Sequence, residues 1–189
     1  NSYNIYATMS NSQELMLKSL TKYFKSNLEN EKTFVNIITG KYNVSLRLLD
    51  WLVTHYAKAN NIIYWINLEK DTLEETAPKC KKEAANMKKI ILYIEYRAQL
   101  KSYTKYNFDP FRRHERIQYH VGKENDRIIE TTIGQMNFFR WVFENKILDF
   151  AKFHSQNIVK HMSNGKKSKD SELLSKKISH NSCQIISFC

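Results

Sequence analysis

The hydrophobic period of this chain changes between its ends and its middle, and that change bounds the fold. Residues 45–61 read SLRLLDWLVTHYAKANN. They set Leu48, Leu52 and Tyr56, flanked by Leu49, Trp51 and Val53, on one broad helical stripe. Residues 62–68 (IIYWINL) follow at once with branched and aromatic side chains in an unbroken run, which is strand patterning. Residues 89–96 (KIILYIEY) read as a second strand. Residues 116–121 alternate, with Ile117, Tyr119 and Val121 on one face and Arg116, Gln118 and His120 on the other. Residues 122–126 form a turn signal, and Arg127–Thr131 can return as the partner strand of a hairpin.

Helical spacing resumes at both ends. Asn11 with Glu14 three residues on resembles a capping box, and Leu17, Leu20 and Phe24 mark one face of a helix over 12–26. Phe34, Val35, Ile37 and Ile38 form an apolar patch ending at Gly40, a short helix or a buried turn. Asn43 is the expected cap of the helix over 44–59. Residues 69–89 are dense in charge and contain Pro78, so they read as a loop with room for a helical turn. Thr132 with Gln135 matches a second capping box and opens 133–162, either one long helix or two broken near Asn145.

The expected fold is therefore α+β: N-terminal helices, a small antiparallel sheet of three or four strands, and a long C-terminal helical segment. The order helix, patch, helix, strand, strand also fits a winged-helix-like core. There the helix over 44–59 would enter a major groove with Ser45, Arg47, Thr54, His55 and Lys58, whereas a buried amphipathic helix would use the same stripe as core. Residues 1–10, with Met9 and Ser10 as a natural start, read as a non-native or flexible leader. Residues 11–162 read as a single domain, and 163–189 as a disordered basic tail.

Charge narrows the function. The chain carries 30 Lys and Arg against 19 Asp and Glu, a formal net charge of +11, which favours polyanionic partners. Residues 97–116 concentrate the excess as RAQLKSYTKYNFDPFRRHER. Arg97, Lys101 and Lys105 fall at helical spacing along one edge. Arg112, Arg113 and Arg116 follow a turn at Pro110. Cations that neutralise phosphate, beside Tyr103 and Tyr106 that can stack on bases, suit a nucleic-acid surface. Phe108 and Phe111 around Pro110 are expected as core anchors of the turn. Lys166, Lys167, Lys169, Lys176 and Lys177 in the tail would extend the field without specificity.

Other chemistries find little footing. Three cysteines make no disulfide framework and fit a reducing, intracellular compartment. No apolar run approaches the roughly 20 residues that cross a bilayer, so membrane insertion is not expected. The histidines and cysteines lack metal-site spacing, the four glycines are isolated and build no phosphate loop, and there is no Gly-x-Ser-x-Gly elbow. Asp50, Glu95, Asp109, Glu115 and Glu130 show no spacing that singles out a catalytic pair. No catalytic residue, metal or cofactor is expected.

Residues 45–61, 96–117 and 131–150 together resemble an uncharacterised family of small basic proteins from nucleocytoplasmic large DNA viruses of the mimivirus and phycodnavirus type. The resemblance covers about 10–162. It implies a viral, intracellular setting (host cytoplasm, viral factory or virion) and a role in genome handling or virion structure, and it carries over no site residues. The function expected is non-enzymatic nucleic-acid binding through a basic-aromatic surface. The alternative is a virion scaffold protein that binds other viral proteins.

Overall fold

Ser10, one residue ahead of the expected cap, starts the first helix. Its Oγ accepts from the Gln13 amide at 3.3 Å, while Gln13 Oε1 accepts from the Ser10 amide at 3.1 Å, which closes a capping box. A computed structural model describes residues 10–122 and 127–164. The leader up to residue 9, the hairpin turn over 123–126 and the basic tail from 165 fall outside the described residues.

Helix α1 (Asn11–Ser26) buries Leu20 and Phe24. Asn27 caps α2 (Leu28–Ile38), so the patch ending at Gly40 is the buried end of a helix. Ser45, in place of Asn43, caps α3 (Leu46–Trp51): its hydroxyl accepts from the Leu48 amide at 3.1 Å. A π-helical turn (Leu52–Tyr56) and α4 (Ala57–Ala59) continue the same rod. Leu48, Leu49, Leu52, Val53 and Ala57 face the core.

Strand β1 (Ile63–Asn67) is the centre of a three-stranded antiparallel sheet, between β2 (Thr72–Glu74) and β3 (Met87–Ile91). The helical turn expected within 69–89 is α5 (Lys81–Ala85), whereas charge density hides the short edge strand there. The strand expected over 89–96 ends at Ile91, because α6 (Leu92–Tyr103) begins there. Tyr93, Tyr96, Leu100 and Tyr103 recur at helical spacing and pack on the core, a period that the apolar run before them obscures. Strands β4 (Ile117–Val121) and β5 (Arg127–Thr131) form the expected hairpin, pairing Ile117 with Thr131 and Tyr119 with Ile129.

Helix α7 (Ile133–Glu144) is the central element and is buried along most of its length. Thr132 caps it, accepting from the Gln135 amide at 3.1 Å. The Gln135 side chain does not close the box; it bonds Thr131 and the Pro110 carbonyl instead. The break falls at Asn145, and Lys146 takes a left-handed conformation (φ 54°) before α8 (Ile147–Phe153). A last helix follows over 155–164. The fold is α+β, its strands divided between two small antiparallel sheets.

Two polar networks hold these parts together. Glu31 on α2 is only 2% exposed. Its carboxylate accepts from the Tyr119 hydroxyl at 2.6 Å and the Gly122 amide at 3.1 Å, and lies 3.4 Å from the Lys25 ammonium. Lys25 also donates to the His120 and Gly122 carbonyls, so α1 and α2 together grip the hairpin. Burial, then the bond to Glu31, holds the Tyr119 phenol well above its ordinary range. At the α7–α8 break, the buried Tyr64 hydroxyl donates to the Asn145 carbonyl at 2.6 Å and Lys88 donates to Asn145 Oδ1 at 2.8 Å. That break anchors the three-stranded sheet.

Candidate nucleic-acid interface

The turn after α6 is built to be rigid. Thr104 leaves the helix at φ 60° and a 3₁₀ turn follows (Lys105–Asn107). Phe108 then plugs the core, with its ring centroid 5.5 Å from Trp141, 5.7 Å from Phe138 and 6.2 Å from a nearly parallel Tyr103. Helix α7 presses directly on the turn: a Cβ at Gly134 would lie 3.1 Å from the Asp109 carbonyl oxygen and 3.2 Å from that of Tyr106. Gln135 donates to the Pro110 carbonyl at 3.1 Å, and Asn137 donates to that of Asn107 at 3.0 Å.

Beyond this clamp the chain delivers Arg112, Arg113 and Arg116 into a cleft of about 510 Å³ between the turn and β5. Arg127 enters the same cleft from the hairpin, and Thr132 and Gln135 close its base. The Arg112 guanidinium lies 3.5 Å from the Tyr106 ring centroid and 3.5 Å from Glu115. Arg116 pairs with Glu130 at 2.7 Å. Neither Arg113 nor Arg127 has an acidic partner among the described residues, and both are exposed. Guanidinium groups stay charged at any physiological pH, so the cleft is a standing cationic field.

The other expected site residues lie elsewhere. Arg97 and Lys101 are exposed on α6 and do not line the cleft. The turn at Thr104 takes Lys105 off their helical edge. Lys105 lines a second cleft of about 520 Å³ with Asp50 and Asp109, on the far side of Pro110 and Phe111. Burial, and then the Asp109 charge, push the Asp50 carboxyl up to about 6. Tyr103 stacks on Phe108 and accepts from Arg140 at 3.3 Å, and Tyr106 is covered by Arg112. Both rings are engaged within the molecule.

Sequence reasoning missed two members of the cleft. Local sequence pattern marks Arg127 only as the start of a strand. The hairpin register, with Arg127 opposite Val121, could have brought it into consideration. Phe111 was expected in the core beside Phe108, but it is 48% exposed on the cleft wall. Pro110 takes the buried position instead. The helix that a winged-helix docking would use offers little to read bases. Ser45 caps it, Thr54 donates to the Asp50 carbonyl at 2.6 Å, His55 stacks on Trp51 at 4.1 Å, and Lys58 lies 5.7 Å over Tyr93, which leaves the exposed Arg47 as the one member of that set not engaged in this way.

Among the described residues no group of three or more His, Cys, Asp or Glu side chains is placed to hold a metal ion. None of the helices in that part of the chain is long and apolar enough to cross a membrane.

A family model described as a family of unknown function (DUF7197) matches residues 3–187. The chain is also similar to a protein named uncharacterized protein L507 from Acanthamoeba polyphaga mimivirus, 34% identical over 144 residues, which covers 75% of this chain. It spans about half the length of that curated relative, 50%. No solved structure matches.

Proposed function

We propose that this chain, which belongs to the DUF7197 family of unknown function, binds nucleic acid through phosphate contacts in the arginine cleft and performs no catalysis there. One observation carries the reading: four guanidinium groups from two separate segments converge on one cleft, and two of them have no acidic partner among the described residues. Guanidinium forks match phosphate geometry, and each neutralised phosphate releases condensed counterions. Arg112 and Arg116 are held by Glu115 and Glu130, which leaves a surplus of two positive charges for a ligand. The polar side chains at the base are committed internally, so base edges find few donors and sequence preference is weak. The similarity to a mimivirus protein supports a setting in a large DNA virus.

The scaffold alternative would use exposed apolar side chains. The most exposed are Leu15, Leu68, Ile94 and Phe153, on four separate segments, whereas four arginines line one cleft. The phosphate reading is therefore preferred.

A salt titration tests it. Binding of a labelled duplex should fall linearly with log salt concentration, and R113E/R127E should flatten that slope by about 1.8, the share of two phosphate contacts. The affinity of the double variant at low salt should drop roughly 100-fold, since two attractive charges become repulsive. The same slope and affinity in both proteins would remove the cleft from the binding surface.

A further inference from the structure

We infer that the arginine cleft seats one unpaired nucleotide, its phosphate between Arg113 and Arg127 and its base against the ring of Phe111, so that single strands are preferred to duplex. The inference rests on the phosphate-binding reading above and names the form of the partner.

The walls of the cleft carry the argument. Phe111 is 48% exposed and Ile128 53% exposed, and both line the cleft that the four arginines share. An apolar ring beside guanidinium groups is matched by a base attached to its phosphate, because stacking on an aromatic face needs an unpaired base. A duplex keeps its bases stacked on one another and would leave Phe111 facing water. The backbone that carries the ring is held in place before any ligand arrives. Asp109 Oδ1 accepts from the Phe111 amide at 2.8 Å, and buried Pro110 fixes the residue before it. Little backbone order remains to be lost at that position on binding.

Size agrees with this reading. The cleft volume of about 510 Å³ lies in the range of small-ligand sites, roughly 300–1,000 Å³, which suits one nucleotide, whereas a duplex could present only its phosphate backbone to the arginines. Tyr106, which sequence reasoning cast as a base platform, instead supports Arg112 from beneath at 3.5 Å. The stacking role passes to the exposed ring five residues later.

The test is fluorescence anisotropy of the full chain at low salt. The probes are a labelled single-stranded DNA, the RNA of the same sequence, and the DNA duplex. At least one single strand should bind on the order of tenfold more tightly than the duplex. Phe111→Ala should weaken single-strand binding roughly tenfold and leave duplex binding within about twofold, and Phe111→Tyr should restore it. Equal binding of all three probes, or single-strand binding indifferent to F111A, overturns the inference. R113E/R127E separates the two failures. If it weakens every probe while F111A changes none, the phosphate reading stands and the nucleotide seat is wrong; if it changes none, both fall.

Discussion

Glu31→Ala is expected to lower the unfolding free energy by about 3–5 kcal/mol, the usual cost of breaking a buried charged pair by removing one member. The carboxylate collects a phenol, a backbone amide and an ammonium in a site only 2% exposed. Without it the Tyr119 hydroxyl and the Gly122 amide lose their acceptor and the Lys25 ammonium loses one of its partners. Each orphaned neutral donor alone costs about 1–3 kcal/mol. Glu31→Gln keeps one acceptor oxygen and should cost less than the alanine. Urea unfolding of the three proteins checks the order, and a loss under about 1 kcal/mol for the alanine would mean that the network does not hold the hairpin. Because β5 carries Arg127, the same variant should also loosen one wall of the cleft.

Phe108→Ala should cost a similar amount, about 3–5 kcal/mol, through the cavity it leaves. The ring is fully buried among Tyr96, Tyr103, Phe138 and Trp141. It is also the root of the turn that delivers three arginines, so nucleic-acid affinity should fall with it even below the temperature of unfolding. Phe108→Leu fills most of the volume and should recover much of both losses. The contrast with Phe111 is sharp. Truncating that exposed ring should change stability by no more than about 0.5 kcal/mol while affecting single-strand binding. Thermal unfolding and binding measured on both variants would separate the two roles; equal stability losses would show that the burial assigned to them is wrong.

The α+β layout was legible because periods differ. The stripe over 45–61, the alternation over 116–121 and the Thr132 cap each specify one local structure, and each formed. Residues 89–96 look like one strand in sequence because a strand and a helix abut at Ile91 with no polar residue or glycine between them. Periodicity cannot locate a border inside an unbroken apolar run. The short strand β2 lay hidden for the opposite reason: it is a three-residue edge strand with no buried residue and thus little apolar pattern to display.

The cleft was half legible. Arg112, Arg113 and Arg116 adjoin in sequence, and a turn at Pro110 holds them together. Arg127 reaches them only through the hairpin, a contact set by register rather than by local pattern. The inward choice between Phe108, Pro110 and Phe111 depended on how α7 packs against the turn. Gly134 favours that packing, because a Cβ there would crowd the Asp109 and Tyr106 backbone at 3.1–3.2 Å.

Amide chemical-shift mapping of the isotopically labelled chain during titration with a short single-stranded oligonucleotide tests the central claim most directly. The largest shifts should fall on residues 110–116 and 127–135, at the arginine cleft, and should fade as salt is raised. Shifts centred on the π-helical turn, the three-stranded sheet or α5, with the cleft unmoved, would contradict the account.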